Sequence, residues 1–249
     1  MIRYLLTGAG LAAVVAASAL AADPPKAKLH GYLAANDIDG AAVIGPPPAV
    51  DSIRGQADRA TFLETRKFAG SARWTQAIKD DDLWKGGAVE RFSCALGERL
   101  GPKTTPITYR ILQRVELDVR TVGTPPKDHY NRTRPLIGND LPICVAREDW
   151  MKTNASYPSG HSMTGWAWAL ILGELEPGRL GKLMQAGDAI GESRIICGVH
   201  YRSDVEAGRK LGAAMVARLH SDPGFLRDLA AAKAELRRVP AAPPLNCAA

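Results

Sequence analysis

Three short segments of the sequence combine residue types that can do chemistry on an anion. They are Lys127–Pro135, Tyr157–Ser162 and Ser193–Asp204. Taken singly, each has an ordinary explanation: a solvated basic patch, a helix start with a serine cap, or a polar pair on one helix face. Taken together, they supply cations that can bind an anion, and histidines and a carboxylate that can transfer protons or form a covalent bond.

The cations and the helix start predict an anion-binding site. Lys127, Arg134 and Arg194 can direct three positive charges at one anion. Guanidinium groups match phosphate oxygens with paired hydrogen bonds, and an ammonium adds a point charge. Ser159 and Gly160 would add a hydroxyl and a backbone N–H at a helix N-terminus, which is a good place for an anion.

The spacing of these residues resembles the signature of a known superfamily. Lys-(six residues)-Arg-Pro, then Pro-Ser-Gly-His, then Ser-Arg-(five)-His-(three)-Asp is the pattern of the group that joins type 2 phosphatidic acid phosphatases to vanadium haloperoxidases. Further stretches, among them Phe92–Leu96, Gly165–Leu170 and Leu219–Pro223, resemble the class A bacterial non-specific acid phosphatases. The likeness covers most of residues 55–238. It implies an exported, helical, metal-independent phosphomonoesterase that is often oligomeric.

This resemblance also implies roles for the individual residues. His200 would attack phosphorus and form a phosphohistidine, while Asp204 would hold the other ring nitrogen. His161 would protonate the leaving alkoxide and then activate water for the second step. The phosphate oxygens would be bound by Lys127, Arg134, Ser159, Gly160 and Arg194.

The two histidines must differ in protonation for this mechanism to work. His200 must be unprotonated when His161 is protonated, so we expect their environments to push the two pKa values apart. That expectation predicts a bell-shaped pH profile, and the resemblance implies an optimum in the acid range.

The resemblance further implies which partners the protein has. Small phosphate monoesters would be the substrates, and inorganic phosphate or vanadate would inhibit by binding at the same place. No cofactor is expected, and neither nucleic acid nor a membrane is expected as a partner. A homo-oligomer is expected, and transfer of phosphate to alcohols stays open beside hydrolysis.

Other functions remain as alternatives. A vanadium haloperoxidase of the same superfamily would use the same anion site for vanadate. A zinc hydrolase could be built on His161, His200 and Asp204, although three nearby cations would repel a metal ion. A module that binds nucleic acid or another anionic ligand would use the net charge of +6, but no interleaving of aromatic and basic residues supports it.

The elements that must position these residues are predicted to be helices. From Gln56 onward apolar residues recur at helical spacing, and no alternating run indicates a sheet. One stripe begins at Ile107 and is expected to end at Gly123–Pro126, followed by a long polar loop over residues 127–158. Helices are also predicted over Ser162–Leu175 and Asp204–His220. The expected fold is a single-domain, all-α helical bundle with long active-site loops.

The chain ends are predicted to lie outside this bundle. Residues 1–22 resemble a signal peptide, with Arg3, a short apolar run and small residues before the expected cleavage point, so export is predicted. The family resemblance favours the periplasm over full secretion. Residues 23–55 are expected to form an irregular N-terminal arm, and residues 240–249 a tail. The helical acid phosphatase domain would then span residues 56–239.

Length and composition are those of an ordinary globular protein, and export makes disulfides possible. The 249 residues include 46% hydrophobic and 23% charged side chains, which excludes disordered and collagen-like classes. Four cysteines allow three disulfide connectivities. The hypothesis from their local contexts is a Cys144–Cys247 bridge that ties down the tail, with Cys94 and Cys197 buried and free.

Overall fold

Helical segments account for most of the regular structure of the chain. The computed structural model describes residues 28–238 together with 245 and 247. Within that part no strand occurs, and the prediction of an all-α fold is confirmed. Two short 3-10 helices cover Arg66–Phe68 and Pro177–Arg179. The α-helices are α1 Gly40–Ile44, α2 Ile53–Thr65, α3 Ala72–Lys79, α4 Ala88–Leu96, α5 Pro106–Tyr130, α6 Trp150–Thr153, α7 Gly160–Leu175, α8 Leu180–Cys197, α9 Arg202–Leu219 and α10 Pro223–Leu236.

Helix α7 lies at the centre of the bundle, packed against α5, α8 and α9. Trp168 of α7 is fully buried and donates its indole N–H to the carbonyl of Leu112 in α5, at 3.0 Å. Helices α7 and α8 approach closely at Gly165 and Gly187, since a Cβ on Gly187 would lie 2.7 Å from the carbonyl oxygen of Gly165. The backbone of α8 is therefore held against that of α7, which fixes the ends of both helices relative to each other.

Helix α5 continues through two prolines, contrary to the expectation that it ends at Gly123–Pro126. It runs to Tyr130 and ends at Asn131, whose φ of 40° is left-handed. The prolines remove two backbone donors, but contacts from elsewhere hold the last turn. The Tyr130 hydroxyl donates to the carbonyl of Ala41 in α1, at 3.0 Å. Lys127 is consequently on a helix, and the polar loop begins four residues later than predicted.

Both disulfides differ from the hypothesis drawn from the sequence. The bridges are Cys94–Cys247 and Cys144–Cys197, and no cysteine is free. The predicted Cys144–Cys247 pair is therefore wrong. The backbone N–H of Cys144 donates to the carbonyl of Cys197 at 3.1 Å, so the loop before α6 lies beside the end of α8. Cys144 and Cys197 pair because the fold brings them close together, and this proximity cannot be predicted from the residues around each cysteine.

The N-terminal arm is only partly irregular. Its described part, residues 28–55, contains the short helix α1 and the first residues of α2. The backbone N–H groups of Tyr32 and Leu33 donate to one carboxylate oxygen of Asp118 in α5, at 2.7 and 2.8 Å. The arm is thus bonded to the bundle. The predicted signal peptide, and the tail apart from residues 245 and 247, lie outside the described residues.

Across the described part of the chain, none of the helices combines the length and apolar character needed to cross a bilayer.

Candidate active site

The three segments converge at one end of the bundle, where α5, α7, α8 and α9 meet their connecting loops. Ser159 is the N-cap of α7, and its backbone N–H donates to the carbonyl of Asp204 at 2.9 Å. Arg194 lies in the last turn of α8, and Asp204 in the first turn of α9. All eight residues predicted for the site lie at these ends or in these loops: Lys127, Arg134, Ser159, Gly160, His161, Arg194, His200 and Asp204.

His200 lies in the turn between α8 and α9, and both of its ring nitrogens face charged groups. The turn begins at Gly198, whose φ of 79° suits glycine and whose added Cβ would lie 2.3 Å from the guanidinium of Arg66. Nδ1 of His200 lies 3.4 Å from the Asp204 carboxylate, and Nε2 lies 3.3 Å from Nη1 of Arg134. A neutral imidazole with its proton on Nδ1 would present a lone pair at Nε2 on the side of the cations.

Asp204 is held from behind by a buried charge network. One of its oxygens accepts the backbone N–H of Tyr201 at 2.7 Å, and the other accepts Nη1 of Arg132 at 2.6 Å. Arg132 also donates to Asp58 of α2 at 2.8 Å, and Asp58 accepts the backbone N–H of Ser203 at 3.0 Å. Neither Arg132 nor Asp58 was predicted for the site. Arg132 stands inside the first segment, but nothing in the sequence links Asp58 to it.

Two of the predicted cations contact only neutral groups among the described residues. Arg134 donates to the backbone and side-chain oxygens of Asn154, both at 2.8 Å, and to the carbonyl of Val199 at 3.1 Å. Lys127 donates to the carbonyl of Ala155 at 2.7 Å. Burial, with Arg134 adding to it, lowers the pKa of Lys127 to about 7. Burial, with Arg194 adding to it, lowers the pKa of Arg134 to about 10.

Arg194 and His161 both contact Asp81, a residue that follows α3. Nη1 of Arg194 lies 2.5 Å from the Asp81 carboxylate, and Nε2 of His161 lies 2.9 Å from the Asp81 carbonyl oxygen. Asp81 was not predicted from the sequence, because nothing distinguishes it from its neighbours in the run of three aspartates at residues 80–82.

The pKa values of the two site histidines move in the same direction, contrary to the expected separation. Burial and the Arg194 charge lower the pKa of His161 to about 3. Burial, followed by the charges of Arg134 and Lys127, holds the pKa of His200 well below its ordinary value. Both shifts arise because the rings are buried beside cations, and a bound dianion would oppose both.

The start of α7 offers a hydroxyl and an unobstructed backbone. The Ser159 hydroxyl is buried and accepts the N–H of Ser162 at 3.4 Å, as an N-cap does. Gly160 faces open space, since a Cβ placed there would meet no atom within 4 Å. A ligand can therefore approach the first N–H groups of the helix.

The end of α8 is held in place by a buried arginine from the 3-10 helix that follows α2. Arg66 donates to the carbonyls of Ile195 and Ile196 at 3.0 and 2.7 Å, and also to that of Pro142 in the long loop. Together with the Cys144–Cys197 bridge, these bonds join the loop to the helix that carries Arg194 and leads into His200.

A zinc site on His161, His200 and Asp204 was one of the alternatives. Within residues 28–238, no group of three or more His, Cys, Asp and Glu side chains is arranged to hold a metal ion.

Comparisons with known proteins agree on one family. The PAP2 superfamily matches residues 118–227, a range that contains all eight predicted site residues. A non-specific acid phosphatase of Providencia stuartii is 37% identical over 235 residues, covering 91% of this chain and 95% of that protein. An acid phosphatase of Zymomonas mobilis is 36% identical over 197 residues, covering 78% of this chain and 74% of that protein.

A solved structure is similar in fold. A bacterial vanadium-dependent iodoperoxidase superposes with a TM-score of 0.53 at 19% identity, over 74% of this chain and 52% of the other. At this identity the likeness shows a shared helical architecture alone.

Proposed function

The chain belongs to the PAP2 superfamily, among the bacterial non-specific acid phosphatases, and we propose that it hydrolyses a broad range of phosphate monoesters through a phosphohistidine intermediate, without a metal ion. The observation that carries this proposal is the placement of His200. Its Nδ1 faces the Asp204 carboxylate and its Nε2 faces Arg134. The charges of Lys127 and Arg194 also lower its pKa.

Substrate binding would rest on cations that contact no carboxylate among residues 28–238. Buried cations that contact only carbonyl and amide oxygens leave much of their charge uncompensated, and a phosphate dianion would compensate it. Arg134 and Lys127 are in this state. The N–H groups at Gly160 would add donors from the start of α7.

The reaction would then take place in two displacements. Nε2 of His200 attacks phosphorus while the ester oxygen leaves with a proton from His161. The pKa of His161 is about 3 without a ligand, so this role requires that the bound phosphate dianion raise it and protonate the ring. In the second step His161 takes a proton from water, which attacks the phosphohistidine and releases inorganic phosphate with His200 restored. The Asp204 carboxylate stabilises the positive ring of the intermediate from the Nδ1 side.

Activity at acid pH agrees with the environment of the nucleophile. Because burial and nearby cations lower the pKa of His200, its ring stays neutral and nucleophilic where an ordinary histidine is protonated. The binding cations are fully charged in the same acid range, since the pKa of Lys127 is about 7.

Location, assembly and inhibition are further parts of the proposal. A periplasmic enzyme is supported by the two disulfides, which persist in oxidising compartments. Inorganic phosphate and vanadate would inhibit by binding among the cations, and a homo-oligomer is proposed from the family resemblance. A vanadium haloperoxidase stays as the second candidate, because the same buried cations could bind vanadate.

The first experiment compares wild type with His200→Ala. Phosphate release from p-nitrophenyl phosphate is measured from pH 4 to 9 in EDTA, and the wild type is quenched in alkaline denaturant for mass analysis of its peptides. We expect acid-biased, EDTA-resistant activity, a phosphoryl group on the His200 peptide, and a loss of at least about 10³-fold in the variant.

Three results would contradict the proposal. Residual activity close to wild type in His200→Ala would show that the nucleophile is another residue. Loss of activity in EDTA, restored by zinc, would favour the metal-dependent alternative. Absence of phosphatase activity together with vanadate- and peroxide-dependent bromination would favour the haloperoxidase.

A further inference from the structure

Asp81 is a carboxylate outside the three motif segments that contacts two residues of the candidate site. Its side-chain oxygen lies 2.5 Å from Nη1 of Arg194, and its main-chain oxygen lies 2.9 Å from Nε2 of His161. Lys127 and Arg134 have no such carboxylate contact among the described residues. Of these three cations, Arg194 is the one in direct contact with a carboxylate within the described residues.

The two partners of this ion pair differ in their freedom to move. The Arg194 side chain is 5% exposed, whereas the Asp81 side chain is 39% exposed. Arg194 is thus fixed by its surroundings, while the Asp81 carboxylate can rotate into water. A carboxylate in this position can be replaced by another anion without leaving a buried charge behind.

The backbone that carries Asp81 is anchored by its neighbour. The buried carboxylate of Asp80 pairs with Arg91 at 3.0 Å and accepts the Ser193 hydroxyl at 2.5 Å. Ser193 directly precedes Arg194 in α8. The turn after α3 is therefore tied to the helix that carries Arg194, and Asp81 can change its side-chain position while its carbonyl stays near His161.

We propose that Asp81 is a specificity-determining residue: its carboxylate takes the position on Arg194 that a phosphate oxygen of the substrate occupies, and only an anion that binds the whole cation group displaces it. This proposal rests on the proposed function, since it requires that the cations bind phosphate. A phosphate dianion gains from Lys127 and Arg134 as well as Arg194, whereas a monoanion gains less from the same exchange.

Calorimetric titration with inorganic phosphate at fixed pH tests the proposal. We compare wild type with Asp81→Asn and Asp81→Ala, and use Glu64→Gln as a control that removes one exposed negative charge on α2. If Asp81 competes with the ligand, both Asp81 variants bind phosphate roughly three- to fivefold more tightly, the size expected for a partly exposed ion pair. The KM for p-nitrophenyl phosphate falls by the same factor, and the control is unchanged.

The opposite order of affinities would overturn the proposal. If Asp81 served to orient Arg194, phosphate would bind less tightly to both variants, and Asn would retain more affinity than Ala. Unchanged affinity in both variants would equally exclude competition. No phosphate binding by any of the proteins, wild type included, would overturn the proposed function as well, so the two failures are distinguishable.

Discussion

Arg132 and Arg134 lie two residues apart in the same segment, yet one contacts carboxylates and the other contacts neutral groups. Arg132 forms ion pairs with Asp58 and Asp204, at 2.8 and 2.6 Å. Arg134 contacts backbone and amide oxygens and the ring of His200. Although burial opposes it, the two carboxylates raise the pKa of Arg132, whereas the pKa of Arg134 is lowered to about 10.

The difference separates a cation that is paired inside the protein from one that we propose binds phosphate. The charge of Arg132 is compensated inside the protein, so it holds the carboxylate behind His200 and needs nothing further. No carboxylate contacts Arg134 within the described part of the chain, so burying its charge beside His200 is costly unless an external anion binds. A buried arginine that has no carboxylate partner and lies next to a histidine is therefore a stronger indication of a phosphate site than an arginine paired with carboxylates.

Arg134→Ala should have the largest effect on catalysis. Loss of a donor to the developing negative charge should lower kcat/KM for p-nitrophenyl phosphate by about 10³-fold, with little change in the free energy of unfolding. Arg134→Lys restores the charge without the paired donors and should recover part of the loss. Steady-state kinetics and urea unfolding are the measurements. A large loss of stability with modest kinetic change would reverse the assignment of Arg134 and Arg132.

Arg132→Ala should mainly lower the stability of the fold. Its loss leaves the carboxylates of Asp58 and Asp204 buried without a cation, which should lower the free energy of unfolding by about 3 kcal/mol. Adding Asp58→Asn removes one of these charges and should recover part of that loss. Urea unfolding of the single and double variants gives the coupling between the two residues. Additive effects in this cycle would show that the ion pair does not stabilise the fold.

Lys127→Arg should have the smallest of these effects, seen only in how phosphate affinity depends on pH. Its pKa of about 7 lies below the ordinary value, so the charge is present at acid pH and is lost as the pH rises through 7. In Lys127→Arg the charge persists. The phosphate affinity of this variant relative to wild type should therefore rise several-fold between pH 6 and 8.

Phosphate also changes from monoanion to dianion between pH 6 and 8, so a parallel titration uses sulfate, which stays a dianion throughout and leaves Lys127 as the group that titrates. Calorimetric titration at intervals of pH provides the ratio. A ratio that stays constant from pH 6 to 8 would show that Lys127 keeps its proton throughout this range.

Residue types and spacing predicted the all-α class of the fold, which is confirmed, and led to the hypothesis of a phosphate site built from eight named residues. Helical spacing of apolar residues follows directly from burial of one face, so it predicts helices over short stretches. The spacing within each motif likewise indicates which of its residues could act at the same site. Family resemblance joined the three segments, and the structure places all eight predicted residues at one end of the bundle.

The partners of these residues, in contrast, are visible only in the folded chain. Asp58 and Arg132 are 74 residues apart, and Asp81 and Arg194 are 113 apart, so no local pattern links them. The disulfide pairing and the passage of α5 through Pro125 and Pro126 depend in the same way on distant segments. Partner choice, burial and the resulting pKa shifts depend on the path of the whole chain, because charges interact through space and not along the sequence.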